Sequence, residues 1–180
     1  YMASYYGKKD KSNSYIYIKG SLEKILERCE VMLDADGNEI PIDKETITRQ
    51  LEDMASHGMR VLAFAYMSVK DWIEILEHHH VDKGLTFLGL QAMIDPPRDE
   101  IKSSVASCHK AGIGVKMITG DYKITALAIA KMIGLKVDGK KSSLSGAELE
   151  TMSDEELLKV ISDVNVYARV TPEQKLRLVK

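Results

Sequence analysis

Two short segments carry residue types suited to holding a phosphoryl group. Val115-Lys116-Met117-Ile118-Thr119-Gly120-Asp121 runs from an apolar stretch into a Gly-containing turn. A strand there delivers Thr119 to its C-terminal end, the edge at which open α/β sheets bind ligands. The Thr119 hydroxyl and the amides of Gly120 and Asp121 can face a phosphate, and a helix beginning near Tyr122 adds the positive end of its dipole. Alone, Thr-Gly-Asp is also a common turn. The second segment is Ala168-Arg169-Val170-Thr171-Pro172-Glu173-Gln174-Lys175. A strand ends at Arg169, Thr171 caps a helix, and Pro172 takes the first helical position. Lys175, one turn further on, can reach back to the edge that holds Thr119. Its ammonium is a point charge suited to an aspartyl phosphate or a phosphate oxygen. Taken alone, this segment reads as a capped surface helix with an exposed Lys. Two more cations stand beside glycine turns: Lys19, in Tyr17-Ile18-Lys19-Gly20-Ser21, and Arg60, after Gly58. Each is by itself one more surface cation. Their combination with the two phosphoryl-type segments carries the weight.

The elements that position these residues follow from pattern. Tyr1–Tyr6 and Tyr15–Lys19 are rich in aromatic and β-branched residues and flank a polar cluster, which predicts a hairpin. Ser21 caps a predicted helix from Leu22 to Cys29, with Leu22, Ile25, Leu26 and Cys29 on one face. Residues 43–57 form an amphipathic helix with Ile47, Leu51 and Met54 inward, ended by Gly58. Arg60–Met67 is apolar enough for a buried strand. Asp71–Glu77 is a short helical piece, and Leu85–Ile94 is a strand. Pro96 and Pro97 then remove two backbone donors and fix two φ angles, so Asp95-Pro96-Pro97-Arg98 is a stiff joint. Beyond it the pattern reads helix 99–111, strand 114–118, helix 122–133, a polar loop, helical pieces 146–161, strand 164–168 and helix 172–180. Strands alternating with helices predict a parallel sheet with crossover helices. The first 95 residues lack that alternation and read as an α+β unit with a mostly antiparallel sheet. The expected fold class is therefore α/β, with one domain over 1–95 and a second over 96–180.

Composition closes off other functions. The 180 residues carry 25 Lys+Arg against 27 Asp+Glu, a net charge of −2. A nucleic-acid binder ordinarily shows a basic excess, so no nucleic-acid partner is expected. No apolar run approaches the ~20 residues that span a bilayer. Cys29 and Cys108 are far apart, on helix-like stretches, and read as free buried thiols. Asp34-Ala35-Asp36-Gly37-Asn38 lacks the further acids of a calcium loop and reads as a turn. His78-His79-His80 reads as a solvated loop, because three adjacent side chains point in different directions.

In order along the chain, several segments resemble the cytoplasmic part of P-type cation-transporting ATPases. They are Lys19-Gly20-Ser21-Leu22-Glu23, Gly58-Met59-Arg60-Val61-Leu62-Ala63 and Gly89-Leu90-Gln91-Ala92-Met93-Ile94-Asp95-Pro96-Pro97-Arg98. Met117-Ile118-Thr119-Gly120-Asp121 follows, with Thr125-Ala126 and Ala128-Ile129-Ala130, and then Ala168–Lys175. The resemblance covers nearly the whole chain and points to the calcium, sodium/potassium and proton-pump branches. It implies the C-terminal part of a nucleotide-binding domain over 1–95 and part of a haloacid dehalogenase-like phosphorylation domain over 96–180. It implies that Lys19, with Gly20, lies in the adenine pocket and that Arg60 contacts the nucleotide's phosphates. It further implies that Arg169 lies near the nucleotide and that Asp95, Pro96, Pro97 and Arg98 form part of the hinge. By the same resemblance Thr119, Gly120 and Asp121 would bind the transferring phosphoryl group, and Lys175 would stabilise the aspartyl phosphate. The implied cofactors are ATP and Mg2+, with the Mg2+ site mostly outside this chain and no metal ligands within it. The implied partners are a transported cation and the actuator and membrane domains of a parent protein, at the cytoplasmic face of a membrane, the plasma membrane by expectation.

The chain departs from the family pattern in places. Leu22 stands where many members have Pro. No Asp-Lys-Thr-Gly-Thr occurs, since the Asp-Lys pairs at 10–11, 43–44 and 82–83 are followed by Ser, Glu and Gly. The resemblance therefore implies that the acceptor Asp and the downstream magnesium motif lie outside these residues, and that the isolated chain is inactive. Two other readings use the same motifs: a soluble haloacid dehalogenase-type phosphatase, and a stand-alone nucleotide-binding module.

Overall fold

The computed structural model describes residues 1–7, 14–70, 72–137 and 142–179. Most of the polar turn expected at 7–14, the start of the piece expected at 71–77, part of the loop before Gly146 and the last residue of the helix expected at 172–180 lie outside the described residues. The chain divides into two compact units, Tyr1–Glu52 with Val61–Met93, and Asp53–Arg60 with Ile94–Lys180.

The first unit is built on a six-stranded, mostly antiparallel sheet. Its strands are β1 (Met2–Tyr6), β2 (Ser14–Gly20), β3 (Cys29–Leu33), β4 (Glu39–Pro41), β5 (Arg60–Val69) and β6 (Leu85–Met93), in the order β1-β2-β5-β6-β3-β4. β1 pairs antiparallel with β2, as the hairpin pattern predicts. In β2 the alternation of residue types decides the faces. Ser14, Ile16, Ile18 and Gly20 are buried, whereas Tyr17 and Lys19 point outward. β5 continues that buried face through Ala63 and Ala65, opposite Gly20 and Ile18. Helix α1 (Leu22–Leu26) buries Leu22, Ile25 and Leu26, and α2 (Lys44–Ser56) buries Ile47 and Leu51.

The first unit differs from the sequence pattern in three places. The helix from Leu22 stops at Leu26, and Cys29 begins β3, which pairs parallel with β6. The helical period of 22–29 continues past the point where strand pairing with β6 takes over. Cys29 is buried as expected, and burial pushes its thiol up to about 11 against the pull of Lys44. Among described residues, 72–77 form no helix; a single 3-10 turn over His78–Val81 follows instead. The histidines thus sit on a short helical turn rather than in a loop, with only Val81 of that turn buried.

The second unit holds a three-stranded parallel sheet in the order β7 (Met117–Ile118), β9 (Val166–Ala168), β8 (Ser143–Ser145). Its helices are α3 (Asp99–Lys110), α4 (Lys123–Met132), α5 (Gly146–Thr151), α6 (Asp154–Val160) and α7 (Pro172–Val179). β8 falls within the stretch expected to be a polar loop, and the strand expected at 114–118 is paired only at Met117 and Ile118. Val105, Ala126, Ala130, Val166 and Ala168 form one core cluster; Leu149, Leu157, Val164 and Tyr167 form another. Ala126 and Ala130 are one turn apart on α4, the spacing that puts both on one helix face. Lys116 donates to the carbonyls of Ile161 and Val164, which closes the C-terminal end of α6. Among the described residues no helix is long and apolar enough to cross a membrane.

Candidate functional site

All three parallel strands of the second unit end on residues of interest. Thr119 follows β7, Gly146 follows β8, and Arg169 follows β9. Parallel pairing carries these ends to one edge of the sheet. The Thr119 amide donates to Tyr167 O at 2.9 Å, the Arg169 amide to Asp121 O at 3.1 Å, and the Val170 amide to Thr119 O at 3.2 Å. The Thr-Gly-Asp turn and the Arg169 turn are therefore stitched together by backbone bonds. The Thr119 hydroxyl donates to Asp121 Oδ2 at 2.8 Å, and the Asp121 amide donates to Thr119 Oγ1 at 3.1 Å. This closed pair sits just before Tyr122, the N-cap of α4. The Thr119 hydroxyl and the Asp121 backbone and side chain thus satisfy one another within the turn.

Arg60, at the junction of β5, lies 3.9 Å from Asp121 Oδ1 through its Nε, with most of the guanidinium in solvent. Arg169 takes a left-handed backbone (φ 53°), the one non-Gly residue with positive φ among those described. Its guanidinium stands 5.0 Å from the centroid of the Tyr122 ring, within cation–π range. Thr171 and Gln174 cap α7 reciprocally: the Thr171 amide donates to Gln174 Oε1 at 3.1 Å, and the Gln174 amide to Thr171 Oγ1 at 3.3 Å. Gln174 also donates to Gly146 O at 2.8 Å, tying α7 to the end of β8. Lys175 is exposed in the first turn of α7, and its amide donates to Thr171 O. The structure thus joins Thr119, Asp121, Arg60 and Arg169 in one constellation and places Lys175 on the helix that leaves the same edge.

Lys19 belongs to the first unit. It occupies the outward face of β2, opposite Met2 on β1 and Phe64 on β5. A cavity of about 440 Å³ opens on this face, lined among others by Lys19, Met2, Tyr17, Phe64 and Leu88. Tyr17 stacks on Tyr66 (centroids 6.2 Å apart) and meets Tyr6 edge-on (5.7 Å). An apolar, aromatic floor with one ammonium at its end suits a planar, partly charged ligand. Gly20, the last residue of β2, leaves no room for a side chain: a Cβ there would stand 2.9 Å from Tyr1 Cβ. Sequence reading singled out Lys19 but not Tyr17, Phe64 or Tyr66. The signal was present, since a period of two in Tyr15-Ile16-Tyr17-Ile18-Lys19 sets Tyr17 and Lys19 on one face.

Residues 1–100 match the family model described as P-type ATPase, cytoplasmic domain N. This chain belongs to the P-type ATPase family. It is 48% identical over 180 residues to the "Cation-transporting ATPase pma1" of Synechocystis, covering all of this chain and 20% of that protein. It is 40% identical over 183 residues to the "Probable cation-transporting ATPase F" of Mycobacterium tuberculosis, covering all of this chain and 20% of that protein. It is 42% identical over 170 residues to the "Calcium-transporting ATPase 1" of Saccharomyces cerevisiae, covering 92% of this chain and 18% of that protein. The chain thus spans about a fifth of the length of these relatives.

P-type ATPases use Mg2+ with ATP, so the donor set is the test of fit for the metal. Among the described residues no group of three His, Cys, Asp or Glu side chains converges as metal ligands. The carboxylate of Asp121 accepts from Thr119 and faces Arg60. Among the described residues this donor set does not fit a Mg2+ ion. The segment 94–98, holding Asp95, Pro96, Pro97 and Arg98, has no regular structure and leads into α3, for which Arg98 is the N-cap.

Proposed function

We propose that this chain is the ATP-binding and phosphoryl-handling portion of a cation pump of the P-type ATPase family. Its parent couples ATP hydrolysis, through an aspartyl phosphate, to movement of a cation across a membrane. The observation that carries the reading is the junction of Thr119, Asp121 and Arg169 at the ends of two adjacent parallel strands. Phosphoryl transfer needs little covalent help from the protein; it is positioning and charge neutralisation. Thr119, Gly120 and Asp121 receive the phosphoryl group: the Thr119 hydroxyl turns from Asp121 to a phosphoryl oxygen, and the Gly120 and Asp121 amides donate beside it. Lys175 neutralises charge on the aspartyl phosphate. Arg60 and Arg169 offer cations to the nucleotide's phosphates, and Lys19, with Gly20 at its back, holds the base on the aromatic face of β2. Residues 1–95 serve as the C-terminal part of a nucleotide-binding domain and 96–180 as part of a phosphorylation domain, with the hinge at Asp95, Pro96, Pro97 and Arg98.

ATP and Mg2+ are the small-molecule partners in this reading. The cation site belongs to the membrane domain of the parent, which sits with this head at the cytoplasmic face of a membrane. The acceptor carboxylate is supplied by residues outside these 180, so the chain by itself forms no phosphoenzyme. The test is labelling of the parent protein with γ-labelled ATP. A hydroxylamine-sensitive phosphoenzyme that is lost on Lys175→Ala supports the reading. Labelling of the isolated 180 residues, or ATP hydrolysis by the parent protein without any phosphoenzyme, overturns it.

A further inference from the structure

Thr125 is 2% exposed on α4, one turn beyond the Thr119–Asp121 pair. A hydroxyl on a helix ordinarily returns to a carbonyl three or four residues back. Thr125 instead donates to Met59 O at 2.9 Å, 66 residues away in sequence. Met59 immediately precedes Arg60. The turn before it is seated on the same helix. Gly58 takes φ +78°, and a Cβ there would stand 3.0 Å from Met132 Cε and 3.7 Å from Ile129 Cγ1. Thr125, Ile129 and Met132 lie at i, i+4 and i+7, a single stripe of α4. One face of the helix that starts at the Thr-Gly-Asp turn thus carries the backbone from which Arg60 projects toward Asp121 Oδ1.

We infer that Thr125 is a positioning residue: its hydroxyl, through Met59 O, sets the place of the Arg60 guanidinium beside Asp121. The inference rests on the proposed service of Arg60 to the nucleotide's phosphates for its consequence in activity, but not for its geometry. Thr125 touches neither substrate nor reacting atoms in this account. The carbonyl that this buried hydroxyl satisfies belongs to the turn from which Arg60 projects. Val at 125 keeps the shape and removes the bond, whereas Ser keeps the bond.

The experiment uses the full-length parent protein carrying Thr125→Val, Thr125→Ser, Arg60→Ala and the double variant Thr125→Val/Arg60→Ala. Two readouts are taken: ATP affinity, and hydrogen exchange of the peptide spanning residues 57–62 without nucleotide. T125V is expected to speed exchange in that peptide and to weaken ATP about two- to tenfold, the factor one neutral hydrogen bond is worth. T125S is expected to match the wild type in both. In the R60A background T125V is expected to cost no further ATP affinity, because the cation it aims is gone. Unchanged exchange in T125V overturns the inference, as does a T125V loss that persists in full without Arg60. If exchange rises in T125V but R60A binds ATP as the wild type does, the positioning stands and the reading of Arg60 as a nucleotide cation falls.

Discussion

Gly146 lies so close to Arg169 that a Cβ on it would overlap the Arg169 carbonyl oxygen and stand 2.8 Å from Gln174 Oε1. The obstacle is backbone, held in a left-handed turn by the Arg169 amide bond to Asp121 O. It cannot swing aside as a side chain does. Gly146→Ala is therefore expected to destabilise the second unit by about 1–3 kcal/mol, the usual range for overpacking a filled site. Thermal unfolding of the two proteins measures it. Equal melting temperatures would show that the Arg169 turn yields.

Arg177 offers a contrast in which a side chain serves structure only. It donates to Leu149 O and Met152 O at 2.7 Å each, and to Asp154 Oδ1 at 2.7 Å, so one guanidinium closes the end of α5 and meets the start of α6. The planar fork reaches three acceptors at once, which a Lys ammonium on a flexible stem does not. Arg177→Lys is expected to cost about 1–3 kcal/mol, from partly buried carbonyls left unpaired. Denaturant midpoints at unchanged slope read this out, and ATP affinity should not move.

The acid limb of stability should carry a signature of Glu148. The Ser145 hydroxyl, ahead of Lys123, draws its carboxyl down from 4.5 to about 2. A depressed carboxyl pKa stabilises the fold above the unfolded value, and that contribution disappears as pH falls from about 4.5 toward 2. The side chain is about half exposed, 49%. Solvent screening therefore keeps the effect to about 1 kcal/mol or less. Glu148→Gln should melt below the wild type near neutral pH, and the gap should narrow as pH falls toward about 3. A constant gap would show that the hydrogen bonds to Ser145, and not the charge, carry the interaction.

Lys19 and Thr119 separate binding from chemistry in the proposed function. Lys19 is exposed on β2, so Lys19→Ala is expected to leave stability within about 0.5 kcal/mol of wild type, as for surface changes in general. Its effect belongs to ATP affinity. Thr119→Ala removes the hydroxyl proposed to donate to a phosphoryl oxygen, so phosphoenzyme formation in the parent protein should fall about 100-fold or more, the scale of losing one charge-stabilising donor. ATP affinity unchanged in K19A, or undiminished phosphoenzyme in T119A, would remove that residue from the site.

The pattern of residues told the local elements well where it was long. Thirteen residues of α2 repeat at helical spacing and end at a Gly with φ +78°. Seven residues of β2 alternate cleanly between a buried and an outward face. Short elements were legible unevenly. β4 and β8, three residues each, are too short to establish a period and were not expected as strands, whereas β7 and β9 fall inside the strands expected at 114–118 and 164–168. Leu22–Cys29 shows the opposite failure. Its helical spacing is real to Leu26, but pairing of Cys29 with Leu85 pulls the next residues into β3.

The amino-acid sequence by itself determined the ingredients of this protein. It set the Thr-Gly-Asp turn before a helix, the Thr-Pro start of α7, the cations at 19, 60, 169 and 175, and the family they mark. Those features are local, written in residue type and spacing over a few positions. Only the tertiary structure decided which of them meet. Nothing local says that β9 lies between β7 and β8, and that order is what bonds the Arg169 amide to Asp121 O. Nothing local says that Met59 reaches Thr125 and so brings Arg60 to Asp121. Such meetings are decided by pairing and burial between distant segments, whose free energy depends on the whole set of partners and not on any one stretch of chain.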